Sequence, residues 1–228
     1  MRWGSGAKEL ASLAVDRTLP AERRADATAG LAKSPERNVD LLARLADDPD
    51  VAVAREAKRG GPVTASPTNP RPEAGDVDAW LPRLGAGGSP DAGWRAFFAT
   101  SGGRCGACHM LGGRGGAVGP DLTGIVARMG RRRVLESLLH PDKEIGPGYV
   151  AYAIQQHDGR VVTGLPAGLV DGDTAERFLT TDGSAIVLPV AEIESRTPLA
   201  TSLMPKGLEQ VLSDDDLRDL LAVLTEEE

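Results

Sequence analysis

Cys105-Gly106-Ala107-Cys108-His109 contains both cysteines of the chain and one of its three histidines. Two thiols are too few for a disulfide scaffold and too few for a four-thiolate zinc site. A redox CxxC of the thioredoxin kind follows a buried strand and opens a helix, whereas Ser101-Gly102-Gly103-Arg104 precedes this one. Zinc would need further soft ligands, and only His140 and His157 remain. A disulfide across two residues would be strained. The CxxCH pattern reads instead as a c-type haem attachment site. At this spacing two thiols can form thioethers to the two vinyl groups of one haem. The adjacent imidazole of His109 is then placed as an iron ligand.

Outward from the motif, Asp91 through Ala99 reads as a helix with Trp94, Phe97 and Phe98 on a shared face. A Gly-rich region follows, then a helix from Arg131 to His140. Between them stands Gly119-Pro120-Asp121-Leu122-Thr123-Gly124-Ile125-Val126-Ala127-Arg128. Together with CxxCH this resembles the class I c-type cytochromes and their Gly-Pro-x-Leu-x-Gly-x-x-x-Arg loop. The resemblance implies that the Pro120 carbonyl accepts a hydrogen bond from the His109 imidazole, that Leu122 touches the haem ring, and that Arg128 helps hold a propionate. Such an acceptor fixes the tautomer of a ligating histidine and raises its basicity. Gly-Pro-Asp is equally a common turn sequence, and Arg128 alone equally a surface residue.

A sixth ligand must come from Met1, Met110, Met129, Met204, His140 or His157. Met110 adjoins the proximal ligand, and Met129 follows the proposed propionate arginine on the proximal side. His140 ends a helix before Pro141, and His157 sits at a hairpin tip, both positions that favour solvent. Met204 lies in Ser202-Leu203-Met204-Pro205 just before the terminal helix, where the family places its distal methionine. A thioether there raises the reduction potential relative to a second histidine.

From Pro90 to the end, including the run Leu138 to Tyr149, the chain is similar to the planctomycete-type haem-binding domain. This implies a domain at the C-terminus of a longer exported protein. His109 and Met204 are 95 positions apart, and a β-rich insert at about 149–197 accounts for most of that separation. Segments 149–157, 160–170, 176–181 and 184–190 are rich in Tyr, Val, Ile, Leu and Thr, with Asp158-Gly159 and Asp182-Gly183 as hairpin signals. The terminal segment has Ser213 as N-cap, Asp216 three residues on, then Leu217, Leu220, Leu221 and Leu224.

Residues 1–60 read as short helices. Pro20 and Pro49 open comparable Ala- and Arg-rich helices 29 residues apart, Asp48 is a candidate N-cap, Ser34-Pro35-Glu36 starts another, and Gly60-Gly61 is a stop. This is a HEAT-like segment or a simple helical cap. Residues 61–89, with Pro62, Pro67, Pro70, Pro72 and Pro82, read as a Pro/Gly-rich linker that Trp80, Leu81 and Leu84 anchor to a surface. The expected fold is therefore mainly α: a helical cap at 1–60, a linker at 61–89, and a cytochrome c-like helical haem domain at 90–228 with a small antiparallel β insert.

Aromatic residues make up only 4% of the 228, and a porphyrin supplies the flat apolar body that such a core lacks. The net charge of -7 argues against nucleic-acid binding, and no run of apolar residues is long enough to span a membrane. The Arg131-Arg132-Arg133 run is a basic spot that could dock an acidic redox partner. No catalytic constellation is visible, so the expectation is not an enzyme but a carrier of one covalent haem c in single-electron transfer, with a redox protein or an upstream domain as partner. A haem-based ligand sensor or peroxidase-like module, and a haem-stapled structural module, are the alternatives. A homodimer through the β insert is a further expectation. Thioether formation requires export, which points to a periplasmic or otherwise exported setting, yet Met1 to Gly6 carries no secretory signal. The expectation is that a longer precursor supplies it.

Overall fold

The computed structural model describes residues 6–59 and 70–226. The Gly60-Gly61 stop, Pro62, Pro67 and Met1 lie outside the described residues. Helices α1 (Ala7–Val15), α2 (Ala21–Leu31), α3 (Val39–Leu45) and α4 (Val51–Lys58) fold around one small core. Ala14, Ala25, Ala27, Leu31, Leu42, Leu45 and Val53 fill it, and small residues let α2 pack on both α1 and α4. Pro20 sits just before α2. Asp48 is not the cap of α4, a position taken by Asp50. Its carboxylate instead receives the buried Arg24 guanidinium, because an ion pair satisfies both groups better than one amide could.

The second core is built by α5 (Val77–Leu84), α6 (Pro90–Phe97), α7 (Ile125–Met129), α8 (Arg131–Leu139), α9 (Leu208–Val211) and α10 (Asp214–Val223), with the short hairpin β1 (Met110–Leu111) and β2 (Arg114–Gly115). Helix α5 lies inside the segment read as a linker. Pro82 is unfavourable within a helix, but Trp80 is 0% exposed and Leu84 is buried beside it, and that burial outweighs the lost backbone bond. Trp80 Nε1 donates to the Glu73 carbonyl at 3.0 Å, so its one polar atom is satisfied too. Side-chain caps mark the starts: Asp76 accepts from the Ala79 N–H, Ser89 from Ala92, and Ser213 forms a full capping box with Asp216. Helices α6 and α10 pack closely, and Gly93 permits it, since a Cβ there would lie 2.2 Å from the Asp219 carbonyl oxygen.

The third unit overturns the mainly α assignment. Strands β3 (Tyr152–Gln156), β4 (Val161–Val170), β5 (Ala175–Leu179), β6 (Ala185–Pro189) and β7 (Ile193–Pro198) form one five-stranded antiparallel sheet in the order β6-β5-β4-β3-β7. Helix accounts for 43% and strand for 17% of the described structure, a mixed α/β architecture rather than a helical domain with a small insert. The physical reason is that β7, Ile193-Glu194-Ser195-Arg196-Thr197-Pro198, is polar and shows no apolar alternation to reveal it. It is an edge strand, held by backbone pairing with β3 from Tyr152↔Pro198 to Gln156↔Ile193. The sheet has its own core of Ile154, Phe178 and Ile193. Gly159 and Gly183 adopt positive φ at the two hairpin turns, as Asp-Gly turns require.

Candidate functional site

Residues Cys105–Ala107 form one tight turn of 3-10 helix, with the Cys108 and His109 N–H groups donating to the Cys105 carbonyl at 3.1 and 2.9 Å. The chain then doubles back. Gly116 donates to the Gly106 carbonyl, Gly119 to that of Cys108 at 2.8 Å, and Leu122 to that of Met110 at 2.9 Å. This ladder lays the Gly119–Arg128 loop along the CxxCH turn.

The His109 Nδ1 lies 2.9 Å from the Pro120 carbonyl oxygen. A carbonyl can only accept, so Nδ1 carries the hydrogen and Nε2 keeps its lone pair. Burial holds the His109 pKa below its ordinary value, although the Pro120 carbonyl partly opposes this. The imidazole is therefore neutral at neutral pH. Gly119 forms a cradle for it, since a Cβ there would fall 2.3 Å from His109 Cε1.

The two thiols are free. Burial pushes Cys105 up to about 11. Burial also raises Cys108, with Arg104 pulling it down and Asp182 adding to the rise. Redox CxxC motifs need a lowered thiol pKa, which is the opposite shift. Among the described residues no cluster of three or more His, Cys, Asp or Glu is placed to hold a metal ion.

Leu122, Cys105 and Met204 are half-buried and pack against the same core, together with Trp94 and Phe98. Met204 is held by a backbone bond to Ser202 Oγ at 3.1 Å. Ser202 in turn donates its N–H to Asp142 at 2.8 Å, and Lys206 pairs with the same carboxylate. Arg128 is exposed on α7, and one of its nitrogens donates to the Thr123 carbonyl of its own loop. Of the other candidate ligands, Met129 is 48% exposed, Met110 is in β1, His140 ends α8, and His157 lies exposed at the β3–β4 turn.

Several neighbours of the motif escaped the sequence reading. The Phe98 ring lies against Gly106, where a Cβ would be 2.6 Å from Cδ1. Arg114 stacks over Trp94 and Phe98, with its guanidinium carbon 5.8 and 5.6 Å from the ring centroids. The Asp182-Gly183 turn reaches Ala107. The spacing of Trp94, Phe97 and Phe98 marked a packed face, but nothing in it marked the arginine or the turn as its neighbours. The basic spot is internally engaged: Arg131 donates to the Gly85 carbonyl, Arg132 pairs with Asp78, and Arg133 pairs with Glu144.

No helix among the described residues is long and apolar enough to cross a membrane. No family model matches the chain and no curated protein matches it.

Proposed function

We propose that the chain is a single-haem electron carrier in which Cys105 and Cys108 tether one haem c covalently and His109 ligates its iron. The observation that carries this reading is the 2.9 Å approach of His109 Nδ1 to the Pro120 carbonyl. It leaves the Nε2 lone pair free and fixed in orientation, next to two thiols that form no disulfide and belong to no metal-binding cluster among the described residues. The bound haem supplies a reversible one-electron couple. Pro120 and Gly119 hold the imidazole, Leu122 would give apolar cover, Met204 would be the second iron ligand and Arg128 would pair with a propionate. A thioether ligand from Met204 would favour the reduced form of the group.

On this reading the partner is a redox protein or an upstream domain, and the chain matures in a periplasmic or similarly exported compartment. The proposal includes a homodimer through the sheet. Of its two edges β6 is the uncharged one, Ala185-Ile186-Val187-Leu188-Pro189, and sizing of the holoprotein tests it.

The test is expression with an exported haem c maturation system. Acid-acetone should leave the haem on the protein, and Cys105→Ala with Cys108→Ala should abolish attachment. The reduced protein should not take up carbon monoxide. Haem extracted by acid-acetone from the wild-type chain would refute the covalent site. Rapid carbon monoxide uptake would instead favour a ligand-sensing or peroxidase-like module.

A further inference from the structure

The sheet has a core of its own, yet one of its turns reaches the CxxCH loop. Gly183 in the β5–β6 turn has φ +84°, and a Cβ on it would lie 2.8 Å from the Ala107 carbonyl oxygen. From the other side a Cβ on Gly116 would lie 2.1 Å from the same oxygen. The middle of the CxxC is thus held between two glycines, one from the helical core and one from the sheet. Because the obstructing atom is backbone, it cannot rotate away as a flexible side chain could.

Asp182 belongs to the same turn. Its Oδ1 accepts from the Thr180 hydroxyl at 2.5 Å, the Ser184 N–H at 3.1 Å and the Ser184 hydroxyl at 2.8 Å. These bonds hold the carboxyl at about 2, so it is ionised at neutral pH. Among the described residues no ion pair neutralises it. Arg104, immediately before Cys105, is the charge of opposite sign that also acts on Cys108.

We propose that the Asp182-Gly183 turn is a positioning element for the haem site, with Gly183 fixing the CxxC backbone and Asp182 setting a negative charge that lowers the reduction potential. The inference rests on the haem reading above. The oxidised centre carries one more positive charge than the reduced one, so a nearby carboxylate favours it, and salt screens the effect at this exposed position. Arg104 acts in the opposite sense.

Redox titration of the holoprotein tests the charge. Asp182→Asn should raise the midpoint and Arg104→Gln should lower it. Both shifts should shrink by more than half between about 0.01 and 1 M salt, where the screening length falls from about 30 to 3 Å. A midpoint unchanged by Asp182→Asn overturns this role. The backbone role is read in the haem-free chain by hydrogen exchange at residues 106–109. Gly183→Ala should speed exchange there several-fold. Gly159→Ala, at a comparable φ of +85° with nothing within 4 Å, should leave it alone. Equal exchange in the two variants overturns the positioning role. Failure of the wild-type chain to attach haem refutes the haem reading, while the exchange comparison still judges the turn.

Discussion

At the scale of single residues, the site depends on how closely the backbone approaches the His109 ring. A methyl on Gly119 would sit 2.3 Å from Cε1, so either the ring leaves Pro120 or the loop shifts. Overpacking of this kind costs about 1–3 kcal/mol. Gly119→Ala should lower the denaturant midpoint of the haem-free chain accordingly and reduce the yield of attached haem, whereas Gly148→Ala, with nothing within 4 Å and no positive φ, should leave the yield unchanged. Met204→Ala tests the second ligand of the proposed haem: the potential should fall and the reduced iron should bind carbon monoxide, and an unchanged visible spectrum would refute the ligand assignment. The His109 to Pro120 contact was expected only through the resemblance of the Gly119–Arg128 loop to that of class I c-type cytochromes, and it joins residues eleven apart. The contact of Ala107 with Gly183 was not, since it joins two units whose relative placement no local pattern encodes.

At the scale of elements, legibility followed whether the forming forces were local. Helix α10 announced itself, because Ser213, Asp216 and the Leu217, Leu220, Leu221 stripe lie within nine residues. Losing the cap removes bonds to otherwise orphaned N–H groups, so Ser213→Ala should cost about 1 kcal/mol by denaturant unfolding. An unchanged midpoint would mean that burial of the leucines alone sets the start of this helix. Helix α5 and strand β7 show the converse. Pro82 argued against a helix that Trp80 burial imposes, and the polar Ile193–Pro198 became a strand only because β3 offered an edge to pair with. With β7 in place, residues 152–198 are a sheet with a core of their own, which is why the helical class failed.

At the scale of the molecule, three cores must be held together, and the N-terminal helices are joined to the helical core that carries the CxxCH motif by charge. Arg95 on α6 donates to Glu56 on α4 at 2.9 Å and to Glu22 and Asp26 on α2 at 2.8 and 3.1 Å. Glu56 is 0% exposed and also accepts from Nε and Nη2 of Arg59, whose Nη1 pairs onward with Asp216 on α10. Arg55 reaches Asp219 on the same helix. Sequence could not show this, since residues 1–60 carry 11 basic and 10 acidic groups with nothing to tell the buried ones from the solvated ones. Neutralising the carboxylate that Arg95 and Arg59 share leaves each guanidinium its outer partners, Glu22 and Asp26 for one and Asp216 for the other, but removes the charge between them, a loss of about 1–3 kcal/mol. Glu56→Gln should therefore lower the calorimetric midpoint and split one transition into two, with the helices of residues 6–59 melting before the core that carries the CxxCH motif. Asp78→Asn, in the exposed pair with Arg132, should leave the trace unchanged. If Glu56→Gln instead melts in a single transition at the wild-type midpoint, the ion network is not what couples the units, and the contact of α2 with α6 must carry the coupling by packing alone.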